Sequence, residues 1–225
     1  YTIGVLVTYL SDSFTNTIIG EIENFFVDKG YGVITCTSMD DAGIEAKKID
    51  FLIQKRIDGL LLIPSRHIRQ NLQILTELSE KGIPIVTIDN LIDDVCCDSV
   101  MIDNVNGTYT AIERMITCGH RRIAIITGPL DYATAKERLE GYERAFKDFN
   151  LPVDKSLIRS GEYLAKTGYE SMHQLMSLSA PPTAVMATNY TISLGALIYM
   201  NEKNIKIPAD MSFFGFDSEE LSKLM

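Results

Sequence analysis

Short apolar runs alternate with amphipathic helical stretches along the whole chain, which predicts an α/β fold built on parallel sheets with helical crossovers. Two further observations support that class. The runs are nearly continuous in Val, Ile and Leu, as in strands buried on both faces. Glycines at positions 30, 82 and 119 punctuate the ends of the intervening helices. At 225 residues the chain accommodates one large domain or two lobes of about 100 residues each, and either buries a full core.

Residues 3–7 form the first strand. Ile18, Ile19, Ile22, Phe25 and Phe26 then mark one face of a helix that Gly30 closes, although that face need not all be core. A strand at 33–37, a helix at 42–54, a strand at 59–63, a helix at 70–80 and a strand at 84–88 follow. Residues 89–99 have no period of their own and carry Asp89, Asp93, Asp94 and Asp98, so they read as a connection between lobes. On that reading the first lobe is residues 1–90 and the second 91–225. The second set of units runs through a short strand at 100–102, a helix at 106–118, strands at 123–127 and 157–159, and a helix at 165–178. A strand at 183–187, a helix at 193–202 and a strand at 211–216 complete it.

The richest stretch is residues 119–146, GHRRIAIITGPLDYATAKERLEGYERAF. It joins a buried strand, a turn at Gly128-Pro129 and a helix. Thr134 three residues ahead of Glu137 reads as a capping box, and Leu139, Tyr142, Phe146 and Phe149 recur at helical spacing. Arg138 thus falls in the first turns of a helix, just past a strand's carboxyl end, where open α/β sheets bind ligands.

Composition excludes several functions. Hydrophobic residues at 46% and charged residues at 23% are ordinary globular usage. A net charge of −9 opposes close approach to phosphate backbones, so this segment alone is not expected to bind nucleic acid. Cys36, Cys96, Cys97 and Cys118 form no CxxC pair, and His67, His120 and His173 are scattered, so no metal site is indicated. The cysteines read as free thiols of a reducing, cytoplasmic compartment. No apolar stretch reaches the length of about 18 residues that spans a bilayer, and no signal-peptide pattern is present. No GxSxG, HExxH, P-loop or GxGxxG motif occurs, so no enzyme, catalytic residue or cofactor is expected. His120 lies at the opposite end of its strand from the crevice and reads as structural.

Seven strings in order carry a family resemblance: RIDGLLLIPS (56–65), GIPIVTIDN (82–90), SVMIDNVNGTYTA (99–111), GHRRIAIITGP (119–129), RLEGYERAF (138–146), PPTAVMATNYTISLGAL (181–197) and IPADMSFFGFD (207–217). Together they resemble the effector-binding region of the LacI/GalR transcriptional regulators, over essentially the whole chain. The resemblance implies two Rossmann-like lobes of the periplasmic-binding-protein type with a small-molecule effector, a sugar or sugar derivative, in a cleft between them. It also implies a helix-turn-helix reader of operator DNA ahead of Tyr1, a homodimer, and first-lobe crossover elements beyond Met225. A periplasmic sugar-binding protein serving a transporter is the alternative. Residues ahead of Tyr1 decide between the two.

Arg138 is the leading effector contact, since its guanidinium offers a rigid fork to paired hydroxyls or a carboxylate; a surface salt bridge to Glu137 or Glu140 is the plainer reading. Asp89 and Asp217 fall at carboxyl ends of strands, where a carboxylate accepts two hydroxyls. A hinge hydrogen bond and a helix cap are their respective alternatives. The resemblance adds Asn189, although Tyr190 stands where the family has aspartate and either reshapes the helix entry or reaches the pocket. It also adds Phe14, Tyr132 and Tyr163, whose rings suit the C–H faces of sugars or belong to the core. Thr134 is a secondary candidate.

Overall fold

The computed structural model describes residues 1–10, 13–217, 221 and 223, and the chain divides into two compact units, Tyr1–Ile102 and Asp103–Met225. In the first unit, β1 (Thr2–Val7), α1 (Ser13–Val27), β2 (Gly32–Thr37), α2 (Ala42–Gln54) and β3 (Gly59–Leu62) lead through a 3-10 turn at Ile68–Asn71. Then come α3 (Leu72–Glu80), β4 (Ile85–Ile88) and β5 (Asp98–Val100). The strands are all parallel, in the order β2-β1-β3-β4-β5. Such an order reverses direction between β1 and β3, which opens a crevice at the strands' carboxyl ends.

One face of this sheet packs Leu6, Leu60, Leu62 and Ile85 against Ile49 and Leu52 of α2 and Leu75 and Leu78 of α3. The other packs Ile3, Val5 and Val7 under Ile19, Ile22 and Phe26 of α1. The burial of α1 is shallow. Thr15 is its one buried residue, and Phe25 and Val27 are 60% and 68% exposed.

The second unit contains α4 (Asn104–Thr117), β6 (Ile123–Thr127), α5 (Ala133–Asp148), β7 (Ile158–Ser160), α6 (Ala165–Met176), β8 (Ala184–Ala187), α7 (Tyr190–Glu202) and β9 (Ser212–Gly215). Its parallel order, β7-β6-β8-β9, repeats the winding of the first four strands of the first unit. All residues of β6 and β8 are buried, as their unbroken apolar runs require. Helix α6 packs on α7 at glycines: a Cβ at Gly195 would lie 1.8 Å from the Ala165 carbonyl oxygen, and one at Gly168 2.0 Å from that of Ile192.

Three expectations change. Residues 98–100 are not connection but the edge strand β5, whose Ser99 pairs with Thr87 of β4, and 101–102 are not strand. The break between compact units accordingly follows Ile102 rather than Asn90. The capping box at Thr134 and Glu137 does not form: α5 begins at Ala133, its N-cap is Tyr132 with extended backbone, and no side chain caps it. Glu137 instead accepts a hydrogen bond from Asn104 Nδ2 at 2.8 Å, so a contact to α4 replaces the local one.

His120 has the structural role expected of it. Its Nδ1 lies 2.8 Å from Thr183 Oγ1 and its Nε2 2.9 Å from Ser212 Oγ. Both ring nitrogens are thereby engaged at the amino-terminal ends of β8 and β9. No described helix is long and apolar enough to cross a membrane.

Candidate functional site

In the second unit, the carboxyl-terminal edge of the sheet collects five of the residues expected from sequence. Arg138, on the second turn of α5, is 3% exposed. A buried guanidinium needs partners for both charge and donors, and the fold supplies them from separate elements. Nε donates to Asn104 Oδ1 at 2.8 Å at the start of α4, and one terminal nitrogen donates to the Thr188 carbonyl after β8. The other lies 3.6 Å from Asp217 Oδ2 after β9. The Phe216 ring stacks beneath, 4.0 Å from the guanidinium carbon, in cation–π contact. Arg138 therefore pairs with neither Glu137 nor Glu140.

Asp217 has φ 54°. This left-handed conformation, which Asp and Asn tolerate better than most residues, turns the chain at the end of β9. Tyr132 and Tyr163 form a tilted aromatic pair with centroids 5.5 Å apart. Gly128 makes room for it, since a Cβ there would sit 2.2 Å from Tyr163 Cζ. The Gly128-Pro129 turn thus gives a ring access to the backbone. Thr134 Oγ1 lies 3.5 Å from the Tyr163 hydroxyl. Asn189 is the N-cap of α7, its Oδ1 accepting from Ile192 N at 2.9 Å. Tyr190 opens α7 and is half-buried.

In the first unit, Phe14 lies half-buried in the first turn of α1. Asp89 directly follows β4 at φ 64°, and its N–H donates to the Val100 carbonyl at 2.9 Å. Asp89 thus occupies the same place in the winding of its sheet as Asp217 does in the other.

Sequence reasoning missed a polar cluster at this edge. Asp40, after β2, accepts from the Arg66 N–H at 2.9 Å and from its Nε at 2.5 Å. Glu45 of α2 is fully buried and accepts from Ser65 N at 2.7 Å, Ser65 Oγ at 3.0 Å and Asn71 Nδ2 at 2.8 Å. Burial raises the Glu45 pKa above its ordinary value, against the pull of those hydrogen bonds. The one available signal was position: Ser65 and Arg66 follow a strand just as Thr188 and Asn189 do. No cluster of three or more His, Cys, Asp or Glu residues able to hold a metal occurs among the described residues.

Parallel sheets of one winding, with charged, amide and aromatic side chains gathered at their carboxyl-terminal edges, define a doubly wound α/β binding protein. The chain belongs to the family of periplasmic binding proteins and sugar binding domains of the LacI family, which matches residues 1–221. It is 33% identical over 224 residues to the HTH-type transcriptional repressor PurR of Haemophilus influenzae, covering 98% of this chain and 65% of that protein. The chain thus spans just under two thirds of the curated relatives it matches. Its structure resembles the transcription regulator CcpA of Lactococcus lactis with a TM-score of 0.85 at 24% identity, covering 100% of this chain and 81% of the other. It also resembles the transcriptional regulator CelR in its cellobiose complex, with a TM-score of 0.81 at 26% identity, covering 99% and 69%. The relatives are transcriptional regulators, not enzymes or transport proteins.

Proposed function

We propose that this chain is the effector-sensing part of a cytoplasmic LacI-type transcriptional regulator, and that a sugar or sugar derivative is its effector. The observation that carries the reading is the Arg138 constellation: a buried guanidinium held by Asn104, the Thr188 carbonyl and Asp217 beside the Tyr132–Tyr163 pair. It combines fixed donors and acceptors for hydroxyls with apolar ring faces for C–H groups. Phe14, Asp89 and Asn189 complete the proposed contact set. Kinship to a repressor with a helix-turn-helix and to a regulator that binds cellobiose supports the same reading. Operator DNA is bound by a separate helix-turn-helix segment, and the regulator works as a homodimer. Effector binding alters DNA affinity only to the extent that it favours one of two states of the protein.

Calorimetry against a carbohydrate panel tests this. One sugar should bind, and Arg138→Ala should weaken it by about 100-fold, the cost of a lost charge-assisted contact plus the unpaired groups left behind. Unchanged affinity in the variant removes Arg138 from the site.

A further inference from the structure

The charge arrangement at the carboxyl-terminal edge of the second unit's sheet narrows the effector's chemistry. Each guanidinium nitrogen of Arg138 has one partner, Asn104, the Thr188 carbonyl and Asp217, which leaves two of its five N–H groups for the effector, and Phe216 covers one face. The cation is neutralised within its own unit. The other cations near this edge, Lys136 and Lys166, lie exposed on α5 and α6, and Lys166 pairs with Glu170 at 3.7 Å. They share the edge with the carboxylates of Asp131, Glu137, Glu162 and Asp217.

At this edge the buried arginine is matched by an aspartate, and the exposed lysines are accompanied by carboxylates. Anion sites are built the other way, with arginine forks left open to phosphate or carboxylate. The start of α5, with no side-chain cap, offers backbone N–H groups that a hydroxyl oxygen accepts. The half charge of a helix end does not balance a phosphate dianion beside Asp217.

We propose that the effector is an uncharged polyhydroxylated molecule, that phosphorylated and carboxylated sugars are rejected, and that Asp217 enforces the rejection by neutralising Arg138. This rests on the effector-sensing reading above. Asp217 is then a specificity-determining residue: it accepts hydroxyls and, by its charge, repels anions.

Titration calorimetry on paired probes decides the matter: glucose with glucose 6-phosphate, ribose with ribose 5-phosphate, cellobiose with its 6-phosphate, galactose with galacturonate, and inorganic phosphate alone. The expected result is that a neutral sugar binds with salt-independent affinity, its anionic partner binds at least about 100-fold more weakly, and inorganic phosphate gives no heat. Asp217→Asn, which keeps the size and the tolerance of left-handed backbone, should narrow the neutral-to-anionic ratio by about tenfold. An anionic partner that binds as tightly as the neutral sugar overturns the proposal, and so does an Asn variant with an unaltered ratio. If no member of any pair binds, the carbohydrate-sensing reading itself falls, and the proposal with it.

Discussion

The two units share one winding but are packed differently. In the second, α6 and α7 approach until the backbone of one touches glycine on the other, and Arg138 draws together the start of α4, the end of β8 and the end of β9. In the first, α1 buries a single residue, β2 has no fully buried position, and the buried carboxylates Asp40 and Glu45 bond to the loop after β3 and the 3-10 turn beyond it. One winding of four strands thus supports a tightly locked unit and a looser one. The difference lies in side-chain volume and in how far apart in sequence the bonded groups are.

Paired glycine substitutions break or sharpen this contrast most strongly. Gly195→Ala should destabilise the chain by about 3 kcal/mol, because the new methyl meets backbone that cannot yield. Gly20→Ala in α1, where a Cβ meets nothing within 4 Å, should instead stabilise it by about 0.5 to 1 kcal/mol. Urea unfolding of the two variants checks both signs, and equal effects would dissolve the distinction.

Next in size is removal of each arginine. Arg138→Ala removes the guanidinium that Asn104 Oδ1, the Thr188 carbonyl and Asp217 face and should cost about 2 to 3 kcal/mol. Arg66→Ala should cost less, because the Arg66 side chain is 17% exposed against 4% for Arg138, so water replaces part of what is lost.

A third contrast concerns pH. The folded-state pKa of Glu45 is raised by burial, so the folded form takes up a proton more readily than the unfolded chain. Its contribution is complete below the ordinary glutamate pKa and is lost as pH rises through the raised value. Unfolding of wild type and Glu45→Gln across pH 4 to 8 should therefore show the wild type losing ground to the variant as pH rises. A difference that is flat with pH would mean that Glu45 keeps the same pKa in both states.

The smallest effect expected is at the cap of α7. Asn189→Ala should cost about 1 kcal/mol through the lost bond to the Ile192 N–H, as Asp41→Ala should at α2. Only Asn189→Ala should also weaken the effector, and thermal shifts with and without sugar separate the two roles.

Much of the architecture was legible because strands buried on both faces must be apolar runs, as 123–127 and 184–187 are. β5 was not: with Asp98 and Val100 exposed and Ser99 half-buried, an edge strand needs no apolar pattern. Position in the winding placed Asp89 and Asp217 just past the carboxyl ends of strands and Arg138 in the early turns of α5, where the structure has them. Their partners were hidden, because Asn104 and Thr188 lie 34 and 50 positions from Arg138 and no local period connects them. Nothing in the local pattern marked Glu45 as buried, since the groups that justify its burial come from Ser65 and Asn71, 20 and 26 positions on. The failed capping box at Thr134 and Glu137 has the same origin, a distant amide outcompeting a local N–H.

Asp89 and Asp217 share a left-handed backbone at the end of a fourth strand, and under the proposed function this has a consequence for how such a sensor changes its diet. Few side chains tolerate that conformation; asparagine and glycine do. Both lie a single nucleotide from every aspartate codon, and both erase the negative charge without disturbing the turn. At these two positions the genetic code and the Ramachandran map point the same way. A lineage adopting charged nutrients would find its first useful substitution there, ahead of any remodelling of the surrounding loops.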